Sequence, residues 1–420
     1  MDAEAGRGMR VLAVALKRIP ADIARKRYVD ARWAYSSADE AQMVLVGLLT
    51  FLDPPKESAA PAIASLRHNG VEVKVISGDS HLVTDHVVER LGIRDEKKEA
   101  LTLIGADVEA LDDVQLEQRV ADVQVFAEMS PLQKRRVIEA LQKRGHVVGY
   151  LGDGINDAPS LRQADVGVSV IEGVDIAKET ADIVLLQHDL GVLGIGILQG
   201  RRTFGNIQKY LKITVASNFG NAFSVLIASI FIPFIPMLAI QILVQNLLYD
   251  ICQITLPWDR VDRSFLSRPR KWQESHLTRF MVIFGPLSSV FDIIAFMVLW
   301  FVFGATGVTA AGVRDPASEH LFQTGWFLVG IITQVLVIHM LRTERVPFLQ
   351  SRAAAPLTVA SVLTVLVAIT LPLIPLTAGA FSFVAPPLGY YPWLIGIVVA
   401  FGVVTQLVKT WYIRRYQQWL

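Results

Sequence analysis

VVGYLGDGINDAPSLRQADVGVSV, residues 147–170, holds an apolar run, a turn rich in glycine and aspartate, a helix-like stretch and a second apolar run. That order is strand, loop, helix, strand. The pattern extends in both directions. Apolar runs stand at Val44–Leu49, Val71–Ile76, Val147–Leu151, Val166–Val170 and Ile183–Leu186, with helix-like stretches at Ala59–His68, Pro131–Lys143 and Ala158–Ala164 between them. Alternating strands and helices imply an α/β domain, a Rossmann-type parallel sheet with helices on its faces. Such sheets bind ligands at the carboxyl ends of their strands.

Three polar clusters fall at those ends. Ser77-Gly78-Asp79 follows VKVI, Lys134 sits in MSPLQK at a helix start, and GDGINDAP occupies 152–159. Gly78, Gly152 and Gly154 let the backbone turn sharply and come close to a phosphate. Asp153 and Asp157 can share a Mg²⁺ bound to that phosphate, and Lys134 offers it a point positive charge. Ser77 can add a hydroxyl donor. Phosphoryl transfer needs this equipment, because it depends on positioning and charge neutralisation. Singly, each cluster has a plainer reading as a turn or a solvated lysine. The octapeptide and its order after the other two motifs make coincidence a poor account.

The second half of the chain is different. Hydrophobic residues make up 52% of the 420 and the mean hydropathy is +0.41. Most of that comes from residues 209–420. Spans of about 20 apolar residues cross a membrane. Six are expected, at about 213–233, 237–257, 280–304, 325–341, 356–375 and 391–412, with Pro233 and Pro236 turning the first hairpin. Arg260, Arg263, Arg268, Arg270, Lys271 and Arg279 follow the second span, Arg342, Arg345 and Arg352 the fourth, and Arg414 and Arg415 the sixth; the opposite loops carry only Arg314. The positive-inside rule then puts both termini in the cytoplasm. The net charge of +1 and the lone Cys252 give no argument for nucleic acid or for a disulfide scaffold. No apolar h-region follows MDAEAGRGMR, so no signal peptide is expected.

Polar residues within spans are costly and therefore informative. Asn218 and Asn221 share a face of the first span; Asn246 and Asp250 share a face of the second, flanked by Tyr249 and Gln253. One carboxylate with several amides suits a partly hydrated divalent cation such as Mg²⁺. Interhelical hydrogen bonding is the alternative use of such amides. Asp292 in the third span is a weaker candidate.

These motifs resemble the P-type ATPases of the haloacid-dehalogenase-like superfamily, and the similarity runs over nearly the whole chain. RVLAVALKR is similar to the end of the nucleotide-binding domain and FLDPPKES to the hinge into the phosphorylation domain. SGD, MSPLQK, GDGINDAP and ADIVLL follow in family order, and ASNFGN (216–221) and NLLYD (246–250) resemble the fifth and sixth membrane helices. The resemblance implies 1–40 as a remnant of the nucleotide-binding domain, 41–208 as the phosphorylation domain and 209–420 as the last six membrane helices. It implies that Lys134 contacts an aspartyl phosphate, that Asp153 and Asp157 serve its Mg²⁺, and that Ser77 and Asp79 bind phosphate. Asp53 and Lys56 would stand at the hinge near ATP. Asn218, Asn221, Asn246 and Asp250 would line the path of the transported ion. With GPLSSVFD at 285–292, the pattern is most similar to the magnesium-importing branch; proton and calcium pumps compete.

One departure is decisive for activity. The family nucleophile is the Asp of DKTGT, and this chain contains no such motif. Nor does it contain the actuator's TGE loop or four preceding membrane helices. The expectation is the C-terminal portion of a magnesium pump in the plasma membrane, competent only with a separate N-terminal half. A non-enzymatic membrane fragment or divalent-cation-binding subunit is the alternative. A stand-alone membrane phosphatase is weaker, since it needs the same absent Asp.

Overall fold

Ser130 and Gln133 start the helix that organises the soluble half. The Ser130 hydroxyl accepts from the Gln133 N–H at 3.4 Å, and Gln133 Oε1 accepts from the Ser130 N–H at 2.9 Å. Pro131 fills the first turn, where a missing N–H costs nothing. The helix runs Pro131–Lys143 and buries Val137, Ile138, Ala140 and Leu141. Val137, Ala140 and Leu141 pack with Leu103, Val108 and Phe126, while Ile138 packs with Tyr150, Leu161 and Ala177. Each of the Val, Leu, Ile and Phe side chains among them contributes about 1.5–3 kcal/mol on burial. One helix is thereby cemented to two different sheets.

The computed structural model describes residues 2–26, 28–29, 32–33, 37–52, 54–93, 102–187, 189–272 and 274–419. It divides into two units, Met1–Gly196 and Ile197–Leu420. In the first unit, Val125–Ala127 is the middle strand of a parallel sheet between Val75–Ile76 and Thr102–Ile104. Val166–Val170 is the middle strand of a second parallel sheet between Gly149–Leu151 and Ile183–Leu185. The expected single Rossmann-type sheet is therefore corrected to two small ones. Each has an outer strand, Val75–Ile76 or Gly149–Leu151, that leads directly into a polar cluster. The run at Val44–Leu49 is also corrected. It belongs to the strand Val44–Leu52, which pairs antiparallel with Met9–Leu16 in a separate two-stranded ribbon.

In the second unit, five helices among the described residues are long and apolar enough to cross a membrane: Gly191–Phe231, Ala239–Trp258, Ser275–Val302, Pro316–Leu341 and Tyr390–Tyr416. The first begins well before 213. The expected fifth span is broken into Ala355–Thr370 and Pro375–Phe381, bent by 85°. Pro372 and Pro375 lie at the break; proline lacks the N–H and clashes with the preceding turn. The count is thus five, or six if the bent pair is one span. Pro316–Leu341 is the most enclosed helix and carries much of the core.

The first and third spans cross where neither has a side chain. A Cβ on Gly220 would stand 2.7 Å from the Gly285 carbonyl oxygen, and one on Gly285 would stand 2.6 Å from the Phe219 ring. Ser289 donates to the Gly220 carbonyl at 2.9 Å. Small residues at a crossing let helix backbones approach within lipid, where no hydrophobic drive joins helices. At one end of the bundle Lys209 and Asp259, both without solvent exposure, pair at 2.8 Å, and Asp259 also accepts from the Ala354 N–H at 3.1 Å. We expect Gly220→Leu to destabilise the bundle by about 1–3 kcal/mol through overpacking, and Gly220→Ala by less. Thermal unfolding in detergent measures both; an unchanged melting point for Gly220→Leu would exclude a close crossing.

Candidate functional site

Asp157 is the hub of the soluble cluster. Its Oδ1 accepts from Lys134 Nζ at 2.8 Å and from the Tyr150 hydroxyl at 2.7 Å, and its Oδ2 accepts from the Gly154 N–H at 3.2 Å. The Lys134 and Asp157 side chains are only 11% and 13% exposed, so water does little to weaken the pair. Burial pushes the Asp157 carboxyl up, but the hydrogen bonds from Lys134 and Tyr150 and the lysine charge outweigh it and hold the group below its ordinary value. Burial, and then the bond to Asp157, push the Tyr150 phenol up, so it remains a donor. The local chain permits this closeness because of Gly152. A Cβ there would meet the Asp157 Cβ at 2.6 Å.

Lys134 reaches Asp157 because the capping box spends Ser130 and Gln133 on the helix start and leaves the lysine in the first turn. Asp153 is exposed. Its carbonyl accepts from the Val174 N–H at 2.9 Å, which fixes the backbone and leaves the carboxylate facing outward. On the neighbouring sheet, Ser77 donates to Asp79 Oδ2 at 3.2 Å and accepts from the Asp79 N–H at 3.1 Å. Asp79 is also approached by Arg10 at 3.3 Å. Gly78 passes close to the Met129 carbonyl, just ahead of Ser130. Ser77, Gly78 and Asp79 thus form one tight turn beside the start of the lysine helix. Lys56 is exposed, and Asp53 lies outside the described residues.

Among the described residues no group of three or more His, Cys, Asp or Glu is placed to hold a metal ion. The chemistry of the donors still fits a magnesium ion shared with a phosphate, since Mg²⁺ in phosphoryl-transfer sites takes one or two carboxylates, waters and phosphate oxygens. Asp153 is the carboxylate open to it, while Asp157 is held by Lys134. Tyr150 was not singled out from sequence. Its signal was the alternation of VVGYL, which places Tyr150 inward between outward Gly149 and Leu151.

In the membrane unit, Asn218, Asn246 and Asp250 lie on exposed faces and Asn221 is half-buried. The enclosed face of the second span is instead Gln241, Gln245, Tyr249, Cys252 and Gln253. Gln253 donates to Thr214 at 3.0 Å, joining the first two spans. Asn221 lines a small internal cavity with Ser217, Asp292, Thr333, Gln334 and Thr405.

The chain thus joins a buried lysine–aspartate pair, on glycine-turned loops of an α/β unit, to a following set of helices apolar enough to cross a membrane. Residues 9–165 match the family described as haloacid dehalogenase-like hydrolase, and residues 234–411 the family described as cation transporting ATPase, C-terminus. The chain is 49% identical, over 98% of its length, to the Magnesium-transporting ATPase, P-type 1 of Salmonella typhimurium, and 47% identical over 97% to that of Escherichia coli. A calcium-transporting ATPase of Bacillus subtilis is 31% identical over 73%. The chain spans 43% of the length of the two magnesium-transporting relatives and 34% of the calcium-transporting one. It belongs to the P-type ATPases and corresponds to their C-terminal region.

The Asp157 shift sets a pH dependence. A carboxyl held low in the folded state adds stability above its unfolded value, about 3.9, and that stability is lost as the pH falls through the folded value. Lys134→Met removes the cation and narrows the gap. We expect the variant to be about 3–5 kcal/mol less stable near neutrality and to lose less on acidification than the wild type. Melting temperature against pH tests this, and parallel curves would count against the ion pair.

Proposed function

We propose that this chain is the C-terminal portion of a magnesium-translocating P-type ATPase of the plasma membrane. It would work with an N-terminal half that brings the nucleophilic Asp, the ATP pocket and further membrane helices. The observation that carries the reading is near-complete coverage of the chain by the magnesium-transporting relatives, with Lys134 and Asp157 already joined. The domain limits of 40 and 208, six spans and cytoplasmic termini belong to the same proposal.

In this reading Lys134 neutralises oxygens of the transferred phosphoryl group. Asp153 holds the Mg²⁺ whose chemistry is charge neutralisation at that phosphate. Asp157 keeps Lys134 extended, and Ser77 turns its hydroxyl from Asp79 to the phosphate. Two surfaces support the need for a second segment. The outer strands Val75–Ile76 and Gly149–Leu151 each leave a ladder edge beside a cluster. The ribbon exposes Leu12, Leu16, Leu45, Leu49 and Phe51, a patch that soluble proteins ordinarily cover. Because covalent catalysis needs its nucleophile, we expect this chain alone to form no hydroxylamine-sensitive phosphoenzyme from labelled ATP. A labelled band would overturn the division of labour.

Asp250 is the acidic residue of 213–257, and the cation is its natural partner at membrane depth. Its exposed face, shared with Asn246 and matched by Asn218 on the first span, is where helices of the N-terminal half would close the path. Amides outnumber carboxylates there, which suits an ion that keeps part of its water. In a full-length pump, Asp250→Asn should abolish magnesium uptake while insertion and folding persist. Unchanged uptake by a well-folded variant would remove Asp250 from the path.

A further inference from the structure

Asp292 sits in the wall of a small cavity of about 20 Å³ between the first, third, fourth and sixth membrane helices. It is 5% exposed. Both its contacts are neutral donors. Ser224 donates to Oδ2 at 2.6 Å and Trp326 Nε1 to Oδ1 at 3.2 Å. Among the described residues no cation pairs with it, and no other titratable group lines the cavity; the surrounding helices supply hydroxyls, amides and apolar groups. Two further side chains on the cavity wall lack partners. Gln334, 5% exposed, has neither amide atom bonded, and the Thr405 hydroxyl, on a residue 1% exposed, is unbonded too. Buried amides and hydroxyls without partners are expensive, so this wall is built for something.

Size and charge limit the occupant. A cavity must offer roughly 10–15 Å³ of this kind to take one water. A Mg²⁺ ion with its shell does not enter, and a bare one wants near-octahedral oxygen at about 2.0–2.1 Å, which one carboxylate and scattered amides do not provide. A carboxylate this buried with no cation is relieved most simply by a proton.

We propose that Asp292 and its cavity form a proton-binding site, separate from the exposed face of Asp250, at which a proton is taken up and released during the transport cycle. The proton comes from water, adds to one carboxylate oxygen, and returns to water; no other bond changes. The acid O–H donates to a single water in the cavity, and that water's remaining bonds run to the Gln334 amide and the Thr405 hydroxyl. Ser224 and Trp326 hold the carboxyl group in orientation in both protonation states. The site itself needs only this chain. Its coupling to magnesium rests on the transport reading above.

Infrared spectroscopy of the purified chain in lipid discs tests the site. We expect a carbonyl band of a protonated carboxylic acid at neutral pH that shifts in heavy water and fades as the medium is made alkaline. Asp292→Asn should remove it. Gln334→Leu, which keeps the acid and removes one partner, should shift the band without abolishing it, and serves if the first variant misfolds. No acid band, a band indifferent to Gln334→Leu, or one that neither exchanges nor titrates would each overturn the proposal. In vesicles holding a full-length pump, a pH dye should report proton movement during magnesium uptake. A folded Asp292→Asn pump should lose that movement by an order of magnitude or more relative to its magnesium uptake. Unaltered proton movement in the variant would overturn the coupling. A wild-type pump that moves no magnesium would sink the transport reading instead and leave the infrared result standing on its own.

Discussion

The Lys134–Asp157 pair is the interaction on which the soluble unit turns. Two sheets of three short strands each need an apolar face covered by a helix to be stable. The helix Pro131–Lys143 joins them with apolar contacts along its length, and the ion pair closes the join at its N-terminal end. Gln142 and Gln163 exchange a further hydrogen bond at 2.9 Å towards its other end. A buried pair is weak evidence of stability when intact, because desolvation offsets attraction. Losing one partner is costly. The same lysine that would neutralise phosphate is thus the one the fold cannot spare. Any phosphate that draws Lys134 away must offset the charge left on Asp157, and the Tyr150 hydroxyl and Gly154 N–H remain there to do part of that.

The membrane unit obeys a different accounting. Its deeply placed charges near the helix ends are satisfied within the chain: Lys209 by Asp259 and the Arg260 carbonyl, Lys409 by the carbonyls of Met340, Thr343 and Arg345. Arg342, fully buried, lies 3.6 Å from Asp259. These polar ties fix the loops to the bundle. Among the described residues Asp250 has no such tie. It shares its outward face with Leu243, Leu247 and Ile254, which lipid tolerates and a carboxylate does not. The two intramembrane aspartates therefore differ in kind. One is buried against neutral donors and the other faces outward beside apolar neighbours.

Much of the site was legible in the sequence because its motifs combine structural and chemical demands. In MSPLQK the Ser, Pro and Gln are explained by the capping box, and the residual Lys is the residue that pairs with Asp157. In GDGINDAP, Gly152 is required by the approach of Asp157. Less legible were strands of two or three residues such as Val75–Ile76 and Thr102–Ile104, which are shorter than any period can reveal. The apolar run Val44–Leu49 identified a strand but carries no information about its partner, which is Met9–Leu16. The break in the fifth span was written in Pro372 and Pro375, yet proline is common enough in membrane helices that its presence alone does not separate a kink from an interruption.

Helical spacing told which residues share a face and could not tell which way the face points. In water the apolar face goes inward, so a period of 3.6 residues fixes direction as well as grouping. In lipid the outside is as apolar as the inside, and direction is set by packing instead. Asn246 and Asp250 do lie together, but Gln245, Tyr249 and Gln253 on the same helix face the bundle. Asp292 lies inward because Gly285 and Ser289, earlier on its helix, bring that face against Gly220. Ser224, one turn beyond Gly220, then meets the carboxylate. The small residues that look least informative in the sequence decide which aspartate is buried inside this chain. The polar residues in the spans report the chemistry available, and the glycines and serines beside them report where it is delivered.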